Sequence, residues 1–309
     1  MKNIIDIEQF HQFDNLGLIA REVVEGFITG LHRSPFHGFS VEFAEHRLYN
    51  QGESTKHIDW KLFARTDKLF VKQYEEETNL RCQLVIDTSS SMLFPYNKGE
   101  KYLQNKLAFS VYTAAALIYL MRKQRDAVGL TLFSDDIEFH TSPRISSVNA
   151  ELMFGKLATL VQPQNAHLRK KTNTTGVLHQ IAENIHKRSL VIIFSDMLDS
   201  AETDALFQAL RHLRYNKHEV ILFHVTDHLL ERDFEFGNRP HKFIDLETGQ
   251  SVKLNTREVK ESYVSNVSAY FENLKVKCGQ YQIDLAEADI NKDFSQVLLS
   301  YLVKRKRLF

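Results

Sequence analysis

Cysteine, proline and tryptophan are scarce in this sequence, at 2, 5 and 1 among 309 residues. Cys82 and Cys278 stand apart, outside any CxxC or Cys/His cluster, which excludes a disulfide framework and a zinc site and fits a reducing compartment. No Pro-rich linker, low-complexity tract or internal repeat is visible. Charge of one sign is also missing. Lys plus Arg and Asp plus Glu are 39 each, so bulk electrostatics give no reason to expect nucleic acid or an anionic membrane as partner. The longest apolar run, Ala114–Met121, has eight residues, far short of the about 20 that cross a bilayer. The first residues, Met1-Lys2-Asn3-Ile4-Ile5-Asp6, carry an acid early and no apolar stretch, so no signal peptide is read there. The expectation is a cytoplasmic protein with no membrane span.

What remains is ordinary globular usage, 43% apolar and 25% charged, in a length that suits about two domains. Residues 1–79 are expected to form an N-terminal segment, with a helix over Leu16–Gly30 and a strand near Leu69–Tyr74. From residue 80 the texture changes. Short apolar runs alternate with helical patterns: Leu84-Val85-Ile86, Val128–Phe133, Leu190–Phe194, Val220–Val225 and Tyr281–Leu285 read as strands, and Ile137–His140 as a return strand. Between them lie expected helices at Asn149–Leu160, Thr175–Lys187, Ala201–Arg214 and Arg257–Lys277. Another carries the stripe Leu103, Leu107, Val111, Ala114, Ile118 and Met121, and a last one starts near Asp293. Gly279 stands where a helix C-cap is expected. Strands apolar throughout and separated by helices predict an α/β fold with a doubly wound, mostly parallel sheet over residues 80–309. The pattern breaks between about 229 and 254, where Lys242–Asp245 and Ser251–Leu254 flank Gly249 as an inserted hairpin.

In such sheets a ligand sits beyond the carboxyl ends of the strands, where strand order reverses. Three loops are candidates. The first strand runs into Asp87-Thr88-Ser89-Ser90-Ser91-Met92, a D-x-S-x-S pattern; the strand ending at Phe194 runs into Ser195-Asp196; and Asn173-Thr174-Thr175-Gly176 precedes a helix. If they converge, they bring together two carboxylates and several hydroxyls. An all-oxygen set suits a hard divalent cation such as Mg2+, or Mn2+ or Ca2+, and leaves room for one carboxylate from a partner.

The Asp87-x-Ser89-x-Ser91, Thr175 and Asp196 set resembles the metal-ion-dependent adhesion site of the von Willebrand factor A domain, as does the order of elements after residue 80. The resemblance implies that Ser89 and Ser91 coordinate directly, Thr175 directly or through water, and Asp87 and Asp196 largely through waters. Asn173-Thr174 stand where many such domains carry Gly-Gly, so the choice between Thr174 and Thr175 is open, with Thr175 preferred. Further upstream, Arg47-x-Tyr49-x-x-Gly52-Glu53, His57-Ile58-Asp59-Trp60, Ala64-Arg65 and Leu69-x-Val71-Lys72 resemble the signature of the bacterial domain-of-unknown-function family fifty-eight. Glu53 and Lys56 replace the more usual Asp and Arg. Members join this signature to a von Willebrand A domain and are often encoded beside MoxR-type AAA+ ATPases. The resemblance therefore implies an adaptor or co-chaperone for such an ATPase.

Plainer readings stand beside these. Asp and Ser at helix starts also serve as caps. Arg47, Asp59, Trp60 and Arg65 are candidates for partner binding or for an ion-pair and packing network, with Trp60 expected to be packed. His224 and His228 flank Asp227 but lack the Glu of H-E-x-x-H, and Lys304–Arg307 reads as a solvated helix end. No GxxxxGK[ST] loop and no GxSxG elbow occur. The leading expectation is a non-enzymatic, Mg2+-dependent protein-interaction module. The second is a metal-dependent phosphate hydrolase or phosphotransferase using Asp87, although the second Asp of a haloacid-dehalogenase-like site is replaced by Ser89. The third is a structural scaffold.

Overall fold

The computed structural model describes residues 16–31, 46–49, 60–66, 68–72, 80–96, 104–162, 168–198, 203–237, 239–293 and 295–308. The chain forms two compact units, residues 30–79 in one and residues 1–29 with 80–309 in the other. Helix α1, Leu16–Leu31, thus falls mainly in the second unit, where Leu16, Ile19, Ala20, Val23 and Val24 are buried along one face. Its Glu25 accepts a 3.1 Å hydrogen bond from the Tyr119 hydroxyl.

The smaller unit contains strand β1, His46–Leu48, helix α2, Trp60–Thr66, and strand β2, Phe70–Lys72. β1 and β2 pair antiparallel with Arg47 opposite Val71. Trp60 departs from expectation. It is 60% exposed and meets the Phe63 ring edge-on at 6.2 Å, at the first position of α2 rather than in a core.

The larger unit is a mixed α/β sandwich. Its strands are β3, Arg81–Asp87, β4, Ala127–Phe133, β5, Ile137–Arg144, β6, Leu190–Ser195, and β7, Glu219–Thr226. After these, β8, Pro240–Ile244, and β9, Ser251–Asn255, form a separate antiparallel hairpin, and β10, Asp284–Asp289, returns to the sheet. The six-stranded order is β10-β7-β6-β3-β4-β5, parallel except for β4 against β5. The chain enters at β3, extends to β4 and β5 on one side, and then crosses to β6, β7 and β10 on the other. Strand order therefore reverses between β3 and β6. The arrangement is compatible with a Rossmann-like fold.

Helices cover both faces, which is why β3, β4, β6 and β7 are buried along almost their whole length. Helices α5, Thr174–Asn184, and α6, Thr203–Tyr215, seal one face, where Val85, Val191, Ile193, Val220 and Leu222 meet Val177, Ile181, Phe207 and Leu210. The end of α7, Thr256–Gln280, adds Leu274 and Cys278 to that core. Helices α3, Lys106–Lys123, α4, Ser147–Leu160, and α8, Ser295–Leu308, accompany the other face. α3 begins three residues after Leu103, which lies outside the described residues, and is buried almost all round rather than along one stripe. Its inner hydroxyls are satisfied within the helix: Ser110 donates to the Lys106 carbonyl at 2.8 Å and Thr113 to that of Phe109 at 2.7 Å.

Two local expectations are corrected. Gly279 does not cap α7; the helix runs through it to Gln280, and Gln282 takes the left-handed conformation at φ +57°. The following strand consequently begins at Asp284, not Tyr281. At Gly129 a Cβ would overlap the Thr141 carbonyl and the Gln83 side chain, and the register of β4 against β5 shifts between Val128 and Leu130.

Candidate functional site

The rim between β3 and β6 gathers carboxylates and hydroxyls, whereas the buried interior of these two strands is apolar but for Gln83. Ile86 pairs with Phe194, so the next residues, Asp87 and Ser195, emerge side by side. The Ser195 hydroxyl donates to Asp87 Oδ2 at 2.8 Å, and the Ser89 N–H donates to Asp87 Oδ1 at 2.9 Å. Asp87 is thereby fixed by both strands' loops. A 3-10 turn, Ser90–Leu93, follows and brings the Ser91 hydroxyl to 2.9 Å from that of Ser89. Asp87, Ser89 and Asp196 are essentially inaccessible to solvent.

A second loop locks onto the first. The Ser90 N–H donates to the Lys170 carbonyl at 3.1 Å, and the Lys170 N–H donates to Ser90 Oγ at 2.8 Å. This holds the segment leading to α5, where Asn173 caps the helix by accepting the Gly176 N–H at 3.0 Å. The helix starts at Thr174, one residue before the expected position. Thr174 is buried with its hydroxyl 3.2 Å from that of Thr172, whereas the neighbouring Thr175 is half-buried.

Three further groups were not singled out from the sequence. Lys106, in the first turn of α3, places its buried ammonium 2.7 Å from Asp196 Oδ2 and 2.6 Å from Glu231 Oε1. A cation at a helix N-terminus works against the helix dipole, so these two carboxylates must hold it there. Burial opposes its charge, yet Asp196 and Glu231 outweigh burial and keep the ammonium above its usual range. Glu231 comes from a π-helical turn, His228–Arg232, and its own carboxyl is raised by burial in spite of Lys106. The third group is Glu247, at the tip of the β8–β9 hairpin. Its Oε2 accepts the Thr172 N–H at 3.3 Å, while Oε1 is buried without a hydrogen bond. An unsatisfied buried oxygen costs about 1–3 kcal/mol.

The electrostatics of the cluster are unbalanced. Asp87 is pushed up to about 7, first by burial and then by the charge of Asp196, against the hydrogen bonds from Ser89 and Ser195. Glu247 is raised by burial and again by Asp196, although the Thr172 N–H and the Ser91 hydroxyl favour its ionised form. Lys106 thus answers Asp196 and Glu231, while Asp87 and Glu247 are met by hydroxyl and backbone N–H donors. His224 adds no charge: burial lowers it to about 4, and its Nε2 lies 3.0 Å from the Asp196 carbonyl oxygen, with the Phe271 ring at 5.4 Å. His228 stands apart, 3.6 Å from Asp289 and Glu287.

Among the described residues no three His, Cys, Asp or Glu side chains form a ready metal cage. The donors at the rim are instead carboxylates interleaved with hydroxyls. That set, with its surplus of negative charge and the unpaired Glu247 oxygen, fits a hard cation. Arg47 lies in β1, and Trp60 and Arg65 are exposed on α2; Asp59 lies outside the described residues.

Comparison with known proteins bears on the family. The family model described as "Protein of unknown function DUF58" matches residues 45–271. The chain belongs to this family. This DUF58 chain is 24% identical over 212 residues to uncharacterized proteins of Mycobacterium tuberculosis and Mycobacterium bovis, covering 69% of its own length. It spans 63% of theirs. Similar solved structures include the conserved hypothetical protein BatB of Bacteroides thetaiotaomicron, at 10% identity over 74% of this chain and 99% of that one, TM-score 0.43. An aerotolerance-related membrane protein of Bacteroides fragilis shares 13% identity over 74% and 100%, TM-score 0.44. An uncharacterized membrane spanning protein of Vibrio fischeri shares 14% over 72% and 96%, TM-score 0.23. These scores lend nothing to the fold or the site. The descriptions do correct one expectation: with two of these neighbours described as membrane proteins, the cytoplasmic location read from the sequence is withdrawn. Among the described residues no helix is long and apolar enough to cross a membrane.

Proposed function

We propose that this DUF58 chain is a non-enzymatic, Mg2+-dependent protein-interaction module, built on a von Willebrand A-like sheet and acting as an adaptor or co-chaperone for a MoxR-type AAA+ ATPase. The observation that carries the metal reading is the meeting of Asp87 and Asp196 with the Ser89 and Ser91 hydroxyls at the strand-order reversal, where Asp87 is held by hydroxyl and N–H donors and feels the charge of Asp196. The ion would be held by Ser89 and Ser91, by Asp87 and Asp196 directly or through water, and by a hydroxyl at the start of α5. Thr175 was the sequence preference, and Thr174, buried with its hydroxyl against that of Thr172, is the alternative. The ion would supply Lewis acidity toward one more carboxylate, from the ATPase or from a client. Lys106 neutralises part of Asp196, which leaves the ion electrophilic toward that acid. The ATPase partner rests on the family resemblance alone.

Calorimetry of Mg2+ binding to the wild type and Asp87→Ala, followed by capture of the purified ATPase with and without EDTA, tests the reading. Mg2+ binding lost in the variant and capture lost in EDTA are expected; capture at full strength in EDTA contradicts it.

One observation favours a second reading, a structural scaffold. The Lys106 ammonium already occupies Asp196 at 2.7 Å, where it does part of a cation's work. No divalent binding at millimolar Mg2+ is the outcome that supports this reading. The hydrolase alternative predicts turnover of phosphate esters that Asp87→Asn abolishes.

A further inference from the structure

The tip of the β8–β9 hairpin is a self-sufficient turn. The Asp245 carboxylate accepts the Glu247 N–H at 2.9 Å and the Thr248 hydroxyl, and its carbonyl accepts the Gly249 N–H at 2.8 Å. Gly249 has φ +76°, a conformation glycine adopts without strain. The turn therefore closes without using the Glu247 side chain. A glutamate on a hairpin tip is best solvated when it points to water, yet Glu247 turns inward. It reaches the Thr172 N–H, faces the Ser91 hydroxyl and the Asp196 charge, and buries Oε1 without a hydrogen bond. The adjacent backbone is fastened too, since the Leu246 carbonyl accepts the Arg169 N–H at 2.9 Å. Burial, and after it the charge of Asp196, opposes an ionised Glu247 in this position even with Lys106 paired to Asp196, and a cation beside Glu247 would offset both.

We propose that Glu247 is the site's own carboxylate ligand: the hairpin caps the cation, Glu247 fills the position a partner's acid would take, and the hairpin must lift before a partner binds. This rests on the metal reading above and adds to it an occupant from within the chain. The hairpin would then act as an internal competitor that sets how tightly an outside acid must bind to displace it.

The test uses the full chain with Mg2+ as the only ligand. Calorimetry compares wild type, Glu247→Gln and Glu247→Asp, and amide hydrogen exchange follows residues 239–255 with and without Mg2+. A thermal melt of each variant checks folding. Glu247→Gln is expected to weaken Mg2+ binding about tenfold, with Glu247→Asp recovering part of the loss. Mg2+ is expected to slow exchange at the hairpin tip in the wild type and not in Glu247→Gln. If both bind Mg2+ equally and the tip does not respond, the inference is overturned while the metal site stands. If the wild type binds no Mg2+ at millimolar concentration, the metal reading and the inference fall together.

Discussion

The interior of the sheet and its carboxyl rim are built from the same strands and obey opposite rules. Within β3 and β6, Leu84, Val85, Ile86, Ile192, Ile193 and Phe194 are fully buried against helices on both faces, and the apolar surface needs no partner from outside. One residue beyond, burial is just as deep, but it encloses Asp87, Ser195 and Asp196. The interior of these strands is apolar but for Gln83, while at the rim Lys106 pairs with Asp196 and Glu231 and buried Asp87 is met by hydroxyl and N–H donors. That contrast teaches where function is to be sought in this chain: at the point where burial stops being its own justification.

Mutations should separate the two regions. The largest effect is expected at Lys106. Lys106→Met leaves Asp196 and Glu231 without their cation and should cost about 3–5 kcal/mol in denaturant unfolding. Added Mg2+ should then raise the melting temperature more in the variant than in the wild type, because a ligand that binds only the folded state stabilises by mass action. Equal shifts would break the link between the rim's charge deficit and a cation. Ile192→Ala in the interior should cost about 2–5 kcal/mol by leaving a cavity, with Mg2+ affinity unchanged. A matching loss of Mg2+ binding there would show that the two regions are not separable. Gly129→Ala, where a Cβ meets backbone, should cost about 1–3 kcal/mol, again without touching Mg2+ binding. The smallest effect discriminates the threonines: Thr175→Val should weaken Mg2+ about tenfold and Thr174→Val by less, as read by calorimetry, and the reverse order would assign the ligand to Thr174.

Much of this architecture was legible because buried parallel strands carry unmistakable apolar runs. Leu84-Val85-Ile86 and Leu190–Phe194 could hardly be anything else, and the residues after them followed from position alone. The edge strand β10 was misplaced for the same physical reason in reverse. Among the described residues it pairs with β7 alone, is partly exposed, and reads Asp-Leu-Ala-Glu-Ala-Asp rather than as an apolar run. Gly279 looked like a cap, yet helix termination fell to Gln282 in the turn that follows.

At the site, Asp87, Ser89, Ser91 and Asp196 were readable because they lie at the end of a strand or in the loop that follows it. Lys106, Glu231 and Glu247 were not. Lys106 is separated from Asp196 by 90 residues and from Glu231 by 125, and no local pattern announces such pairings. Lys106 did leave one trace, a lysine at the start of an otherwise apolar helix, where the dipole disfavours it. Glu247 left another, an acid beside Asp245 in a turn that needs only one. Trp60 misled because a lone tryptophan is usually packed, and here it opens a short helix with its ring largely in solvent.

The central claim, that the reversal between β3 and β6 is a seat for a hard divalent ion, is tested most directly by diffraction from crystals grown with Mn2+. The account predicts one anomalous peak bounded by the oxygens of Asp87, Ser89, Ser91 and Asp196, with Glu247 reaching it from the hairpin. No peak at saturating Mn2+, or a peak lodged elsewhere, would contradict it.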